Sequence, residues 1–417
     1  VNKPTDASTL DMASLADTLI SLQQADGTKA MLTQLEETLR SHRRWHALFD
    51  VRMLRARAAL GLPLTGPLSD HDATVRSQLD EQTIAACRES GWGLLNDGQV
   101  SAGWMYLRAS APQAEVTQRL GQLAEELLAN PADDADEDSY QPLQEILQLT
   151  LWEGLDPTLG IRITLMTQGT CNAVTAYEQS VAGLPPDQQA PVAALLVEHL
   201  HEELFDNLAH DLLSRELVSD ATLADIRSAG GDVAALLTAA GGLADDPSIH
   251  LDASHLQAVL RFARICTDPT VLKKAVALAS YACRLPADFQ YPGDVPFADT
   301  GRSSRFFFTA LLGHEEDAAL AYFHEQATAA DQYDAPAAYD VLAVLAARLG
   351  RPADALSAVL SRPPEAGPSQ PTPLAAMLPP LVELAHAAGA GDKLRAACLE
   401  RDDLVTFAAS LARDAAG

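Results

Sequence analysis

Apolar residues recur at three- and four-residue spacing along most of this chain, and short runs of Gly, Pro and Asp interrupt them. That rhythm lays one apolar stripe along a helix. A half-buried strand needs a period of two instead. The best alternation of β-branched and polar residues is Ile161-Arg162-Ile163-Thr164, too short to found a sheet. The pattern predicts an all-α fold with little or no β-sheet.

Within that pattern a spacing repeats. Gly313 is followed five residues on by Ala318 and four later by Tyr322. Gly350, Ala355 and Val359 keep the same offsets, as do Gly98, Gly103 and Leu107. Gly391 is followed by Ala396, although Glu400 then takes the large-apolar position. The physical reading is a helix–turn–helix unit. Glycine ends the first helix in a left-handed conformation, a small residue lets the second helix approach closely, and a large apolar residue one turn on fills the shared core. Recurrence every 35–40 residues or so is the period of stacked helical hairpins.

The segment Ala343–Val359, AVLAARLGRPADALSAV, resembles the tetratricopeptide-like (TPR-like) superfamily, with Gly350, Ala355 and Val359 on its turn and second-helix positions. The resemblance runs over residues 302–415, with an outlying unit near 88–110. It implies stacked hairpins forming an α-α superhelix, whose concave face binds a protein or peptide. The family's first-helix Trp, Leu and Gly pattern is not clean here.

Breaks in the helical pattern suggest the domain organisation. The acidic run NPADDADEDS, 130–139, reads as a linker between an N-terminal helical domain, 1–130, and a larger helical array, 140–417. In the first domain, helices are expected over 8–24, 28–60, 71–94, 99–109 and 112–128. Irregular segments are expected at 241–254, 285–304 and 362–373. Phe289, Tyr291 and Phe297 in the second of these suggest a loop held against the helices.

Composition narrows the function classes. With 57 acidic and 29 basic residues the net charge is -28, which repels phosphate backbones and anionic lipid. Nucleic acid and membranes are therefore not expected as partners, and no stretch approaches the ~20 apolar residues that span a bilayer. Residues 301–417 carry more acidic than basic side chains, so a basic partner segment is an expectation of the charge. Cys87, Cys171, Cys266, Cys283 and Cys398 are widely spaced and form no CxxC pair. Such thiols suit a reducing, cytoplasmic setting, with most of them small core residues.

A single helix, about Asp187 to Glu216, holds the best chemistry-bearing constellation, EHLHEELFDNLAHDLL. At 3.6 residues per turn, His199, Glu203, Asp206 and His210 fall on one narrow stripe, a donor set suited to a divalent metal or to acid–base work. Val197, Leu200, Leu204, Leu208 and Leu212 occupy the other side, so the stripe is otherwise an ordinary polar face. His201 lies within the apolar face, where a histidine is most often a satisfied core residue. Just upstream, Gly169-Thr170 is placed to start a helix with Thr170 as cap, which would set Cys171 near a helix N-terminus. Cys171 with His201 or His199 as base is the candidate nucleophilic pair; Cys171 as a small interior residue is the simpler reading. Glu198/His201 and Glu383/His386 both read E-x-x-H, the element of carboxylate-bridged metal bundles, without the accompanying glutamates.

The segment 40–57 is locally basic, with Arg40, Arg43, Arg44, Arg52, Arg55 and Arg57 around Trp45 and Phe49. Internal neutralisation of acidic helices is its expected role. The chain contains no GxxxxGK[ST], HExxH, GxSxG or GxGxxG after a strand. The reading that results is a helical-repeat scaffold binding a protein or peptide, most simply without a cofactor. The alternative is a metal- or cysteine-dependent enzyme, with its site between 166–179 and 187–216.

Overall fold

A computed structural model describes residues 11–66, 72–129, 137–241, 248–291, 297–330, 335–363 and 374–415, with 137–140 and 287 described by backbone alone. These residues are helical, and no strand occurs among them. They form two compact units, Val1–Ile163 and Thr164–Gly417.

The first unit contains α1 (Met12–Ala25), α2 (Gly27–Ser41), α3 (Trp45–Ala59), α4 (Ala73–Asn96), α5 (Val100–Leu107), α6 (Gln113–Ala129), α7 (Glu137–Leu147) and the start of α8 (Pro157–Ala176). The second continues from α8 through α9 (Pro186–Ser214), α10 (Asp220–Ser228), α11 (Val233–Ala239), α12 (Ala253–Phe262), α13 (Pro269–Ala282), α14 (Thr300–Leu311) and α15 (Glu316–Ala329). It ends with α16 (Ala335–Arg348), α17 (Pro352–Ser361), α18 (Leu381–Ala387), α19 (Gly391–Glu400) and α20 (Leu404–Ala415). Helices adjacent in the chain are the main packing partners, as in α4 with α5 or α16 with α17.

Part of the acidic charge is spent on starting helices. Asp11, Asp72, Asp232, Asp252, Asp268 and Asp299 each accept a backbone N–H of the first turn, satisfying donors that the helix cannot. Positive-φ glycines close several helices, among them Gly98, Gly313, Gly350 and Gly389.

At two of the four sites the residues at the expected offsets are buried or half-buried. Gly98 is followed by buried Gly103 and Leu107, and Gly350 by buried Ala355 with Val359 half-buried. After Gly313 the turn has an additional left-handed residue, Glu315, and the buried pair moves by one to Ala319 and Phe323, leaving Ala318 exposed. Gly391 lies inside α19; the left-handed glycine there is Gly389, and its buried partners at the repeat's offsets are Leu394 and Cys398. At each of these turns two helices meet, and the length of the turn sets which following residues are buried.

The long helix expected over 28–60 is two helices. The chain reverses at His42–Arg44, where Arg43 is left-handed at φ 54°. Folding back joins the stripes of α2 and α3 in one cluster of Leu32, Leu39, Leu48 and Val51, with Trp45 against it; one straight helix would keep them apart. Trp45 Nε1 donates to Asp97 Oδ2 at 2.7 Å. Four of the six arginines pair with acids of the same unit: Arg43 and Arg55 meet Asp97 and Glu36 at 3.1 and 2.8 Å, and Arg40 and Arg52 share Glu89.

The acidic segment, at 130–136, lies outside the described residues. The first unit extends beyond it to Ile163, because Leu143, Ile146, Leu149 and Ile163 enter the same core as Leu95, Val100, Leu107, Leu120 and Leu123. Ile161–Thr164 is helical, within α8. Of the three loop aromatics only Phe297 is buried; Phe289 and Tyr291 are exposed, and 292–296 lie outside the described residues.

Candidate functional site

The α9 helix behaves as its pattern requires. Val197, Leu200, Leu204, Leu208 and Leu212 are buried, and the opposite stripe faces outward. The four side chains of the stripe are not gathered in one place. His199 and Glu203, each about a third exposed, meet at 3.7 Å, and Thr170 Oγ1 reaches His199 Nε2 at 3.0 Å and Glu203 Oε2 at 3.4 Å. Asp206 instead accepts from Arg227 at 2.6 Å, and His210 is exposed. Among the described residues, no three His, Cys, Asp or Glu side chains gather as a metal ion requires.

The expected break before Thr170 is present. Gly169 sits at φ 82°, ψ 178°, a conformation open essentially to glycine, and interrupts α8 there. Thr170, the next residue, turns its hydroxyl to His199. Cys171 is a further 100° or so round the helix and is exposed. No hydrogen bond joins its thiol to either histidine, so the structure brings His199 to Thr170 rather than to Cys171. In the two E-x-x-H motifs, Glu198 pairs with Lys274 at 3.7 Å and Glu383 with Arg413 at 2.9 Å.

His201, on the apolar side, leads to a different place. It is 6% exposed and lines a half-open groove of about 470 Å³ formed with α11, α13 and the end of α14. Burial lowers its pKa, the Lys274 ammonium lowers it further, and Asp232 opposes both. The imidazole is thus held toward its neutral form.

The groove is built from two faces. Val233, Ala234 and Leu237 come from α11, at the spacing of one helical side. Thr270, Lys273, Lys274, Ala277, Ser280, Tyr281 and Arg284 come from α13 and the turn after it, a continuous stripe at three- and four-residue intervals. Val276 and Leu312 complete a mostly apolar lining.

Its charged groups are uneven in sign. Among the described lining residues Lys273, Lys274 and Arg284, the last with a partner of its own, stand with one acid, Asp232, whose carboxylate accepts the Ala234 N–H at 2.9 Å as the cap of α11. Lys274 has a distant partner in Glu198, while Lys273 is exposed. In a chain of net charge -28 this is a local reversal. One wall is held from behind: Tyr281 Oη accepts the His250 N–H at 2.8 Å, and His250 Nε2 lies 3.2 Å from Asp211 Oδ2, which Arg215 also binds.

His201 was visible in the sequence as a histidine among leucines; the rest of this site was not. The available signal was the adjacent pair Lys273-Lys274 in a chain with few lysines, on a helix whose stripe of Ala, Ser and Thr is too small to serve as a core face. Comparison with family models, with curated proteins and with solved structures gives no significant match to this chain.

Proposed function

We propose that this protein is a helical-repeat scaffold whose second unit binds a segment of a partner protein in the groove between α11 and α13. The observation that carries the reading is the half-exposed stripe of α13. A helix in a packed array normally buries its apolar side against neighbours, and here Ala277 and Val276 are left beside a half-open, mostly apolar cleft. Helix–turn–helix units under a left-handed glycine, as at Gly350 with Ala355, are the local geometry that TPR-like stacks use, and such stacks work through what their open faces display. Among the described residues no helix is long and apolar enough to cross a membrane.

The enzyme reading has less behind it. Cys171 is exposed and has no base in hydrogen-bond contact, and the α9 stripe divides between Thr170 and Arg227. The scaffold reading is tested by selecting peptides from a random library on the full chain, then counter-selecting on Ala277→Trp, which fills the groove. Enrichment of sequences that bind the native protein and not the variant is the expected result. Selected peptides that bind both alike would place binding elsewhere.

A further inference from the structure

We infer that the groove is selective for an acidic amphipathic helix; this rests on the scaffold reading and specifies the chemistry of its partner. Three features lead there. First, the walls are helices presenting side chains at three- and four-residue spacing, with no sheet edge among the described residues to pair an extended strand. An added helix laying apolar anchors at i, i+3, i+4 and i+7 into such walls continues the packing the fold already uses.

Second, the dimensions suit a short helix. From Thr270 to Arg284 the stripe rises roughly 21 Å, the length of about four helical turns. A half-open cleft of about 470 Å³ takes the anchor side chains of such a helix and leaves its outer face in water.

Third, the charge is complementary to an acid. Lys273 and Lys274 stand side by side on the stripe, about one turn after Thr270, so carboxylates on the flank of a docked helix meet cations there. Asp232, the one acid among the described lining residues, is engaged as a helix cap. The chain as a whole is strongly acidic, so an acidic segment is repelled by its net charge and favoured where the lysines gather. The net charge alone points to a basic partner; the charge of the groove points the other way, and contact is made with the groove.

The test uses the full chain and three synthetic amphipathic helical peptides of about 16 residues, identical in their Leu anchors and flanked by Glu, Gln or Lys. Binding is read by fluorescence anisotropy. The Glu peptide is expected to bind at least about tenfold more tightly than the Lys peptide. Lys273→Glu with Lys274→Glu is expected to reverse that order, with the circular dichroism melt showing whether the variant is folded. If the variant does not fold, the ranking of the three peptides on the native chain decides. Equal binding of all three, abolished by Ala277→Trp, would overturn the acid selectivity and leave the docking groove standing. No binding by any of them, together with a library selection that yields no groove-dependent peptide, would overturn both.

Discussion

Replacing Gly103 by Ala adds one methyl where two helices touch. An ideal Cβ on Gly103 would lie 2.9 Å from Leu95 N and 3.0 Å from both Gly91 O and Leu95 Cβ. Two of those neighbours are backbone, so no rotamer change relieves the contact and α5 must move away from α4. Overpacking of this kind costs about 2–3 kcal/mol, and the better helix propensity of Ala returns about 1. The expected net loss is about 1–2 kcal/mol, a factor of roughly 5–30 in the folded-to-unfolded ratio. Gly121, inside α6, supplies the control. A Cβ there meets only Leu159 Cδ2 at 4.0 Å, so Gly121→Ala is expected to stabilise by up to about 1 kcal/mol. Urea unfolding followed by tryptophan fluorescence isolates the relevant unit, since Trp45, Trp92, Trp104 and Trp152 all belong to the first. Opposite shifts of the midpoint are expected. A Gly103→Ala variant as stable as the parent, or more so, would refute the close approach of α4 and α5 and with it the reading of the small residue five places after Gly98.

Further substitutions probe the charged groups. Glu89→Gln removes the carboxylate shared by Arg40 and Arg52, for an expected loss of about 1–2 kcal/mol at pH 7. Burial raises the Glu89 pKa but the two guanidiniums outweigh it, so the folded value is depressed; the contribution is present above the unfolded pKa and lost as pH falls through the folded one, and acid titration of the tryptophan signal should show it shrinking in the variant. His201 is also held below its ordinary pKa, chiefly by burial. The unfolded chain therefore takes up the proton first, and the second unit should lose stability as pH drops below about 6.5, a slope that His201→Leu removes in circular dichroism melts. Arg348 donates to Arg264 O and Cys266 O at 2.7 and 2.5 Å, and burial lowers its pKa to about 10. Arg348→Met strands both carbonyls and is expected to cost about 2–3 kcal/mol in the same melts.

The helical class was legible because it rests on periodicity, which needs only local sequence. So was the amphipathic face of α9, down to the inward His201. What failed was register. Ala318 and Ala396 were assigned by a fixed offset from Gly313 and Gly391, whereas an extra left-handed residue at Glu315 and the true terminating glycine at Gly389 displaced the buried positions. The reversal at Arg43 was hidden because no Gly or Pro marks it; a non-glycine residue is held left-handed there by the tertiary contacts of Trp45. The groove was hidden for a related reason. Lys273 and Lys274 read locally as a solvated helix face, and their meaning depends on α11, about forty residues upstream, leaving one side of α13 half-exposed. The His199 stripe was visible as a line on one helix, but the partners that divide it, Thr170 and Arg227, come from other helices.

Hydrogen exchange on the full chain, with and without a saturating selected peptide, tests the scaffold account most directly. Slowed exchange concentrated in α11, Val233–Ala239, and α13, Pro269–Ala282, with the first unit unchanged, is the expected result. Protection confined to other helices while the peptide remains bound would contradict it.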